Sequence, residues 1–233
     1  MKHAGVSAVY TGTLLLAALQ TSAQTAAPLQ WPDSFLGRVE ALAVLQSLNA
    51  DLLSHDSATL TLERWCSQHH LASPAQVTAQ RVRDMNKPAD PEVRKQLQVG
   101  PDEPVRYRRV SLRCGEVELS EADNWYVPGR LMGDMAQRLD QTDEPFGKVV
   151  QPLHFQRHTL SAQLLWRPLP QGWEMRGNVA STITHHALTI PAAVLEHRAV
   201  LALSDGTPFS EVVEIYTSNV MAFPIGRQVS GSH

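Results

Sequence analysis

The chain has 233 residues, of which 43% are hydrophobic and 18% charged, so it is long and apolar enough to bury a core. Its formal net charge of -3 gives no basic field, which argues against nucleic-acid binding through phosphate contacts. Two cysteines exclude a disulfide scaffold and a Cys-based zinc site. No apolar run approaches the ~20 residues that span a bilayer, so we expect no stable membrane insertion.

The N-terminus has the pattern of an export signal. A short basic start precedes a mostly apolar stretch over residues 6–19, and small residues lead up to Ala23. The pattern predicts a signal peptide over residues 1–23, one mature domain over 24–233 and a periplasmic or secreted location. The alternative is a mobile N-terminal helix of a protein that stays in the cytoplasm.

Helices dominate the predictions for the first half of the mature chain. Apolar residues recur at helical spacing from residue 35 to 53, which predicts one helix or two that join near Ser47. Residues 59–65 alternate and contain β-branched side chains, so they predict a strand. We expect a polar helix over 75–84 and a charged, proline-rich connection over 87–104.

The second half of the chain predicts an antiparallel meander. Residues 105–114 and 117–127 predict a hairpin, which Pro128 ends because proline donates no ladder hydrogen bond. A helix, an extended stretch and a strand follow, at residues 130–139, 149–166 and 173–183. Strands at 199–203 and 212–216 predict a final hairpin. Helices followed by antiparallel strands predict an α+β fold with a single antiparallel sheet.

The histidines do not predict a metal site. His69-His70 and His185-His186 are adjacent pairs, and adjacent side chains point to different sides of a helix or strand. His154 and His158 have helical ligand spacing, but their β-rich neighbours favour a strand. The sequence also contains no glycine-rich phosphate loop, dinucleotide fingerprint or Gly-x-Ser-x-Gly elbow. We therefore predict no metal.

Arginines cluster on the predicted strand 105–114. Arg109 and Arg113 share one face of this strand, and Arg106 and Arg108 share the other. An arginine on a covered face needs a partner, and a pocket arginine suits a carboxylate ligand. On a solvated edge strand the same cluster needs no ligand.

Four short stretches, in this order, resemble the chorismate pyruvate-lyase family, whose enzyme removes pyruvate from chorismate and leaves 4-hydroxybenzoate. They are residues 47–52 with 59–62, 104–114 with 125–128, 144–147 with Arg157, and 197–199 with 205–208 and 212–216. The resemblance covers residues 31–223. It implies helices packed on one face of a single antiparallel sheet and an enclosed ligand cavity.

The resemblance also implies the site residues. Arg109 falls at the carboxylate-binding arginine, Glu214 at the active-site carboxylate, and Leu48 and Phe146 at two wall positions that contact the ligand. Glu211 competes with Glu214, which is favoured by its apolar neighbours. We therefore expect Arg109 and Glu214 to face one cavity, with Glu214 as acid or base. The alternative for Glu214 is a buried partner of a structural arginine.

The implied activity is that of a carbon–oxygen lyase. Aromatisation drives such a reaction, so no cofactor is expected. The competing function is an exported protein of the same fold that binds an aromatic carboxylate without chemistry. In both cases the expected partner is a small-molecule carboxylate, and the protein is expected to be a monomer.

Cys66 follows one predicted strand and Cys114 ends another. If these strands are neighbours in an oxidising compartment, the two cysteines can form a disulfide. The alternative is two buried free thiols.

Overall fold

A computed structural model describes residues 31–175 and 186–223 of the chain. The helices in this part are α1 (Phe35–Leu53), α2 (Ala58–Gln68), α3 (Pro91–Gln96), α4 (Met135–Gln141) and α5 (Phe146–Val149). The strands are β1 (Val77–Val82), β2 (Arg106–Cys114), β3 (Val117–Tyr126), β4 (Gln156–Leu164), β5 (Ala193–Ala202) and β6 (Pro208–Thr217).

The strands form one antiparallel sheet in the order β1-β2-β3-β6-β5-β4. Val110, Ala122, Glu214 and His197 lie side by side on adjacent strands, and we call the face that carries them the inner face. Helices α1 and α2 pack on this face, while the short α3 packs on the opposite, outer face near Trp125. The predicted α+β class with a single antiparallel sheet is confirmed.

Helix α1 is built as its sequence predicts. The Ser34 hydroxyl caps its N-terminus by accepting from the Gly37 amide at 3.0 Å. Leu45, Leu48 and Leu52 recur at helical spacing and are almost completely buried against the sheet. The prediction of a helix over residues 35–53 is therefore confirmed, as one helix and not two.

The predicted secondary structure of two segments is wrong: one predicted strand is a helix, and one predicted helix contains a strand. Residues 59–65 belong to helix α2, because Ser57 caps it and its buried residues include Ala58, Leu62 and Trp65, which repeat at helical spacing. Residues 75–84 contain strand β1, which pairs with β2 and alternates buried Val77 and Ala79 with exposed neighbours.

The bounds of the later helices and strands agree with the predictions only in part. The hairpin β2–β3 is confirmed, and the last hairpin is longer than predicted, as β5 and β6. Helix α4 begins later than residue 130, after the turn at Gly133, and β4 occupies only part of 149–166. Residues 173–175 form a single 3-10 turn, and the rest of the predicted strand 173–183 lies outside the described residues.

A disulfide joins Cys66 of α2 to Cys114 of β2, with the Cα atoms 6.5 Å apart. It fastens α2 to the inner face next to the core, and both residues are fully buried. The pairing that the sequence left open is confirmed. None of the described helices is long and apolar enough to cross a membrane.

Candidate functional site

A cavity lies between the inner face, the N-terminus of α2 and helix α5. The space that the centre of a water-sized sphere can occupy is about 30 Å³, and the surrounding 380 Å³ includes open solvent. Apolar side chains form most of the wall: Val110, Leu112, Ala122, Phe146, Phe155, Leu201 and Val212. Polar residues also line it: Asn124, Arg157 and Glu214 on the sheet, and Asp56, Ser57 and Thr59 at the start of α2. A mostly apolar pocket with a few placed polar groups is the usual form of a small-molecule site.

The close approach of α5 to α2 shapes one side of the cavity. A Cβ atom on Gly147 would lie 2.7 Å from the Ser57 hydroxyl and 3.0 Å from the Thr59 hydroxyl. Only glycine therefore fits where the two helices meet. Lys148 of α5 also pairs with Glu63 of α2 at 2.5 Å, which holds the two helices together.

Arg157 and Glu214 form an ion pair at the polar end of the cavity. Arg157 Nη2 lies 2.5 Å from Glu214 Oε2, and their side chains are only 4% and 8% exposed. The Tyr216 hydroxyl donates to the same carboxylate oxygen at 3.0 Å. Burial alone would lower the pKa of Arg157, but the Glu214 charge and Tyr216 outweigh burial and raise that pKa. Burial and the Glu214 charge raise the pKa of Tyr216 well above its usual range, so it stays a donor.

His197 lies beside this ion pair on the neighbouring strand. It is fully buried, and its Nε2 lies 2.8 Å from Asn49 Oδ1 of α1. Burial lowers the pKa of His197 to about 4, although the Glu214 charge opposes this shift. His197 is therefore neutral at neutral pH. Since an amide oxygen only accepts, this contact implies that Nε2 carries the proton.

Two buried donor groups around the cavity lack an acceptor. Neither Arg157 Nε nor Asn124 Nδ2 has a hydrogen-bond partner among the described residues, and both atoms are buried. Both residues line the cavity. A buried N–H group without an acceptor is costly, so such groups in a binding site indicate an acceptor on the ligand.

The structure separates the two residues that the sequence placed together. Arg109 lies opposite Asp123, whose next partner is Val213, so Arg109 occupies the outer face while Glu214 occupies the inner face. Arg109 pairs with Asp123 at 3.0 Å and with Glu121. The prediction that Arg109 and Glu214 face one cavity is therefore wrong.

The other predicted residues divide between the cavity and the core. Phe146 and Glu214 line the cavity, as expected. Leu48 is buried in the α1 core and does not line it. Glu211 lies on the outer face, fully buried and paired with Arg198 at 2.5 Å, so it does not compete with Glu214 for the cavity.

No ligand role for Arg157, Asn124 or Arg108 was predicted from the sequence. Arg108 is buried on the inner face directly opposite Asn124. A signal for Arg108 was present, because it shares strand parity with the apolar Val110. Residues 31–175 and 186–223 contain no group of three or more His, Cys, Asp or Glu side chains that could hold a metal.

The chain is 55% identical over 196 residues to the uncharacterized protein y4mC of Sinorhizobium fredii, covering 84% of this chain and 82% of y4mC. No family model matches the chain.

Several solved structures show weaker likeness. The PhnF effector domain of Mycobacterium smegmatis is 13% identical, with a TM-score of 0.40 over 62% of this chain and 82% of that domain. A GntR-family transcriptional regulator of Enterococcus faecalis is 15% identical, with a TM-score of 0.38 over 64% of this chain and 99% of the regulator. YydK of Bacillus subtilis, described as a possible transcriptional regulator, is 16% identical, with a TM-score of 0.38 over 65% of this chain. This chain spans 62% of YydK, which is less than two thirds of its length.

These matches correct the sequence-based assignment. These structures are described as an effector domain, a GntR-family transcriptional regulator and a possible transcriptional regulator, and none of the three as a chorismate pyruvate-lyase, so the assignment to the lyase family is wrong. The same finding contradicts the predicted export signal and the periplasmic or secreted location. The predicted signal peptide over residues 1–23 lies outside the described residues.

Proposed function

We propose that this chain, which belongs to the family of the Sinorhizobium fredii protein y4mC, binds a small carboxylate in the cavity on the inner face. One observation carries the proposal: among the described residues, two buried donors at the cavity, Arg157 Nε and Asn124 Nδ2, have no acceptor. A carboxylate is the strongest acceptor for such donors, and it forms charge-assisted hydrogen bonds with a guanidinium group.

Two donor atoms of Arg157 have different roles in this proposal. Its Nη2 donates to Glu214. Its Nε has no acceptor among the described residues and is left to donate to the ligand. Glu214 thus holds Arg157 in position, and Arg157 holds the ligand.

The apolar wall selects the rest of the ligand. Phe146, Phe155 and Leu201 offer aromatic and aliphatic surface, so burial of an apolar ring or chain contributes ~25 cal/mol per Å². A flat aromatic acid meets both requirements. Benzoate is therefore a suitable probe, and benzamide is its neutral counterpart of similar shape.

Binding fits this site better than catalysis. The Glu214 carboxylate already accepts from Arg157 and Tyr216, so its Oε2 atom is occupied by donors of the protein. A general acid or base must instead exchange a proton with the ligand during the reaction. The lyase activity inferred from the sequence stays an untested prediction, as does the monomeric state.

Calorimetric titration with benzoate and benzamide tests the proposal. The wild-type protein should bind benzoate at one site and benzamide more weakly. Ala122→Phe fills the cavity and should abolish binding, whereas Ala162→Phe, on the exposed edge of β4, should not. If benzoate binds equally well to both variants, the cavity is not the site.

A further inference from the structure

A cluster of arginines lies on the inner face beyond Asn124. We call Arg81, Arg106 and Arg108 the arginine cluster. Arg81 donates to the backbone carbonyl of Asp140 and Arg106 to its carboxylate. The Tyr126 hydroxyl donates to the same carboxylate at 2.5 Å. Arg81 and Arg106 therefore both contact Asp140, in the last turn of α4.

The cluster carries more positive charge than its neighbours balance. The nearby carboxylates already pair with other arginines: Asp140 with Arg106, Asp143 with Arg83 at 3.3 Å, and Glu144 with Arg138 at 2.5 Å. Within the described residues, Arg81 and Arg108 take part in no ion pair with a carboxylate. Two cations thus lie close together with no direct ion pair in the described part of the chain, although the charges of Asp143 and Glu144 act on Arg108.

Arg108 is the buried member of the cluster. The residue is 2% exposed, and only its Nη2 donates, to the carbonyls of Glu144 at 2.7 Å and Thr142 at 3.3 Å. Its Nε and Nη1 atoms and the Nε of Arg81 are buried and find no acceptor among the described residues. Burial and the charge of Arg81 lower the pKa of Arg108 to about 10, so it is still a cation at neutral pH. Leaving such a group unpaired costs several kcal/mol.

The cluster is accessible from solvent at one side. The Arg106 side chain is 50% exposed, Arg81 is half-buried, and Arg108 lies at the deep end. Arg106 therefore reaches solvent, while the N–H groups of Arg81 and Arg108 that lack an acceptor among the described residues are buried.

We propose that the arginine cluster is an anion-binding site for an oxyanion of the phosphate or sulfate type. Two unpaired cations match a dianion, and several acceptor oxygens match the unmet donors of two guanidinium groups. This site borders the cavity, because Arg108 lies directly opposite Asn124, whereas Arg157 lies on β4 with β3, β6 and β5 in between. The oxyanion is either free in solution or carried by the molecule that fills the cavity.

Thermal unfolding and calorimetry with inorganic phosphate test this site, with sodium chloride at matched ionic strength as the salt control. Phosphate should bind saturably to the wild type and raise its melting temperature beyond the effect of chloride. Arg108→Met should weaken phosphate binding by about 10- to 100-fold. Arg113→Met, on the outer face of the same strand, should leave it unchanged.

A structural role for Arg108 predicts a different result. Arg108→Met would then lower the stability of the phosphate-free protein, and Arg81→Met, at a less buried position, would leave phosphate affinity unchanged. That result would overturn the proposal, as would the absence of any phosphate effect beyond chloride on the wild type. Weaker phosphate binding in Arg81→Met supports it even if Arg108→Met fails to fold.

Further titrations distinguish the arginine cluster from the cavity, and a free oxyanion from one carried by the cavity ligand. Ala122→Phe should lose benzoate but keep inorganic phosphate, so either proposal can fail alone. If the oxyanion belongs to the cavity ligand, phenyl phosphate should bind the wild type more tightly than phosphate does, and Ala122→Phe should remove the difference. Equal affinities indicate a free oxyanion at the same site.

Discussion

Arg157 of edge strand β4 and Glu214 of β6 form an ion pair across the intervening strand β5, and both side chains are almost completely buried. The pair joins the edge of the sheet to its centre. It also forms the polar end of the cavity, so the contact that would orient Arg157 in the proposed site also neutralises a buried charge.

Removing one partner of this pair should cost more than removing both. Arg157→Met or Glu214→Leu leaves one buried charge unpaired, which should lower the free energy of unfolding by about 3–5 kcal/mol. The double variant should cost clearly less than the sum of the two. Urea unfolding of the four proteins measures the coupling. Additive losses would show that the two charges do not interact.

The stability of the protein should fall in acid partly because of His197. Its folded pKa of about 4 lies below its unfolded value of about 6.5, so the unfolded state binds the proton more tightly. The stabilisation is complete above the unfolded pKa and is lost as the pH falls towards 4, to a total of about 3 kcal/mol.

Urea unfolding from pH 7.5 to 4.5 measures this dependence. His197→Gln should flatten the curve, whereas His158→Gln, at an exposed position of β4, should not. Identical pH slopes in the wild type and His197→Gln would contradict the low pKa of the buried histidine.

Ligand binding should be insensitive to Arg109. Arg109→Ala removes a partner of Asp123 on the outer face, so benzoate affinity should stay within about 2-fold of wild type. Arg157→Gln loses the charge beside the ligand and should weaken benzoate by about 10- to 100-fold. Titration calorimetry of both variants measures this contrast, and the reverse order would restore the sequence-based site.

The sequence predicts the sheet better than the site. The hairpins β2–β3 and β5–β6 follow from alternation and turn residues, which are local signals. The segment of α2 was predicted as a strand and the segment of β1 as a helix. Over a few residues the apolar pattern fits both the helical and the strand period, and packing against the sheet decides between them.

The arginine predicted for the site was wrong by one position in strand β2, and neighbouring side chains of a strand lie on opposite faces. Val110 is buried on the inner face, and Arg108, two residues earlier, must share that face. The family resemblance pointed to Arg109 instead, and the side chain of this residue lies on the outer face. Arg157 could not be found from the sequence, because its role depends on reaching Glu214 from the edge strand β4.

Reduction of the Cys66–Cys114 disulfide should destabilise the protein. The bond spans 48 residues, and the chain-entropy relation gives a loss of about 4 kcal/mol for a loop of this length. Urea unfolding with and without dithiothreitol measures this loss. The double variant Cys66→Ala, Cys114→Ala should not respond to the reductant. An unchanged midpoint for reduced wild type would contradict the stabilising role.

The most direct test of carboxylate binding observes the unpartnered donors themselves. In ¹H–¹⁵N spectra during a benzoate titration, the Arg157 Nε–H and Asn124 side-chain amide signals should shift saturably with one dissociation constant, and benzamide should shift them less. The Arg109 Nε–H signal should stay in place. Benzoate shifts that never saturate, or that appear at Arg109 and not at Arg157, would contradict a carboxylate site in this cavity.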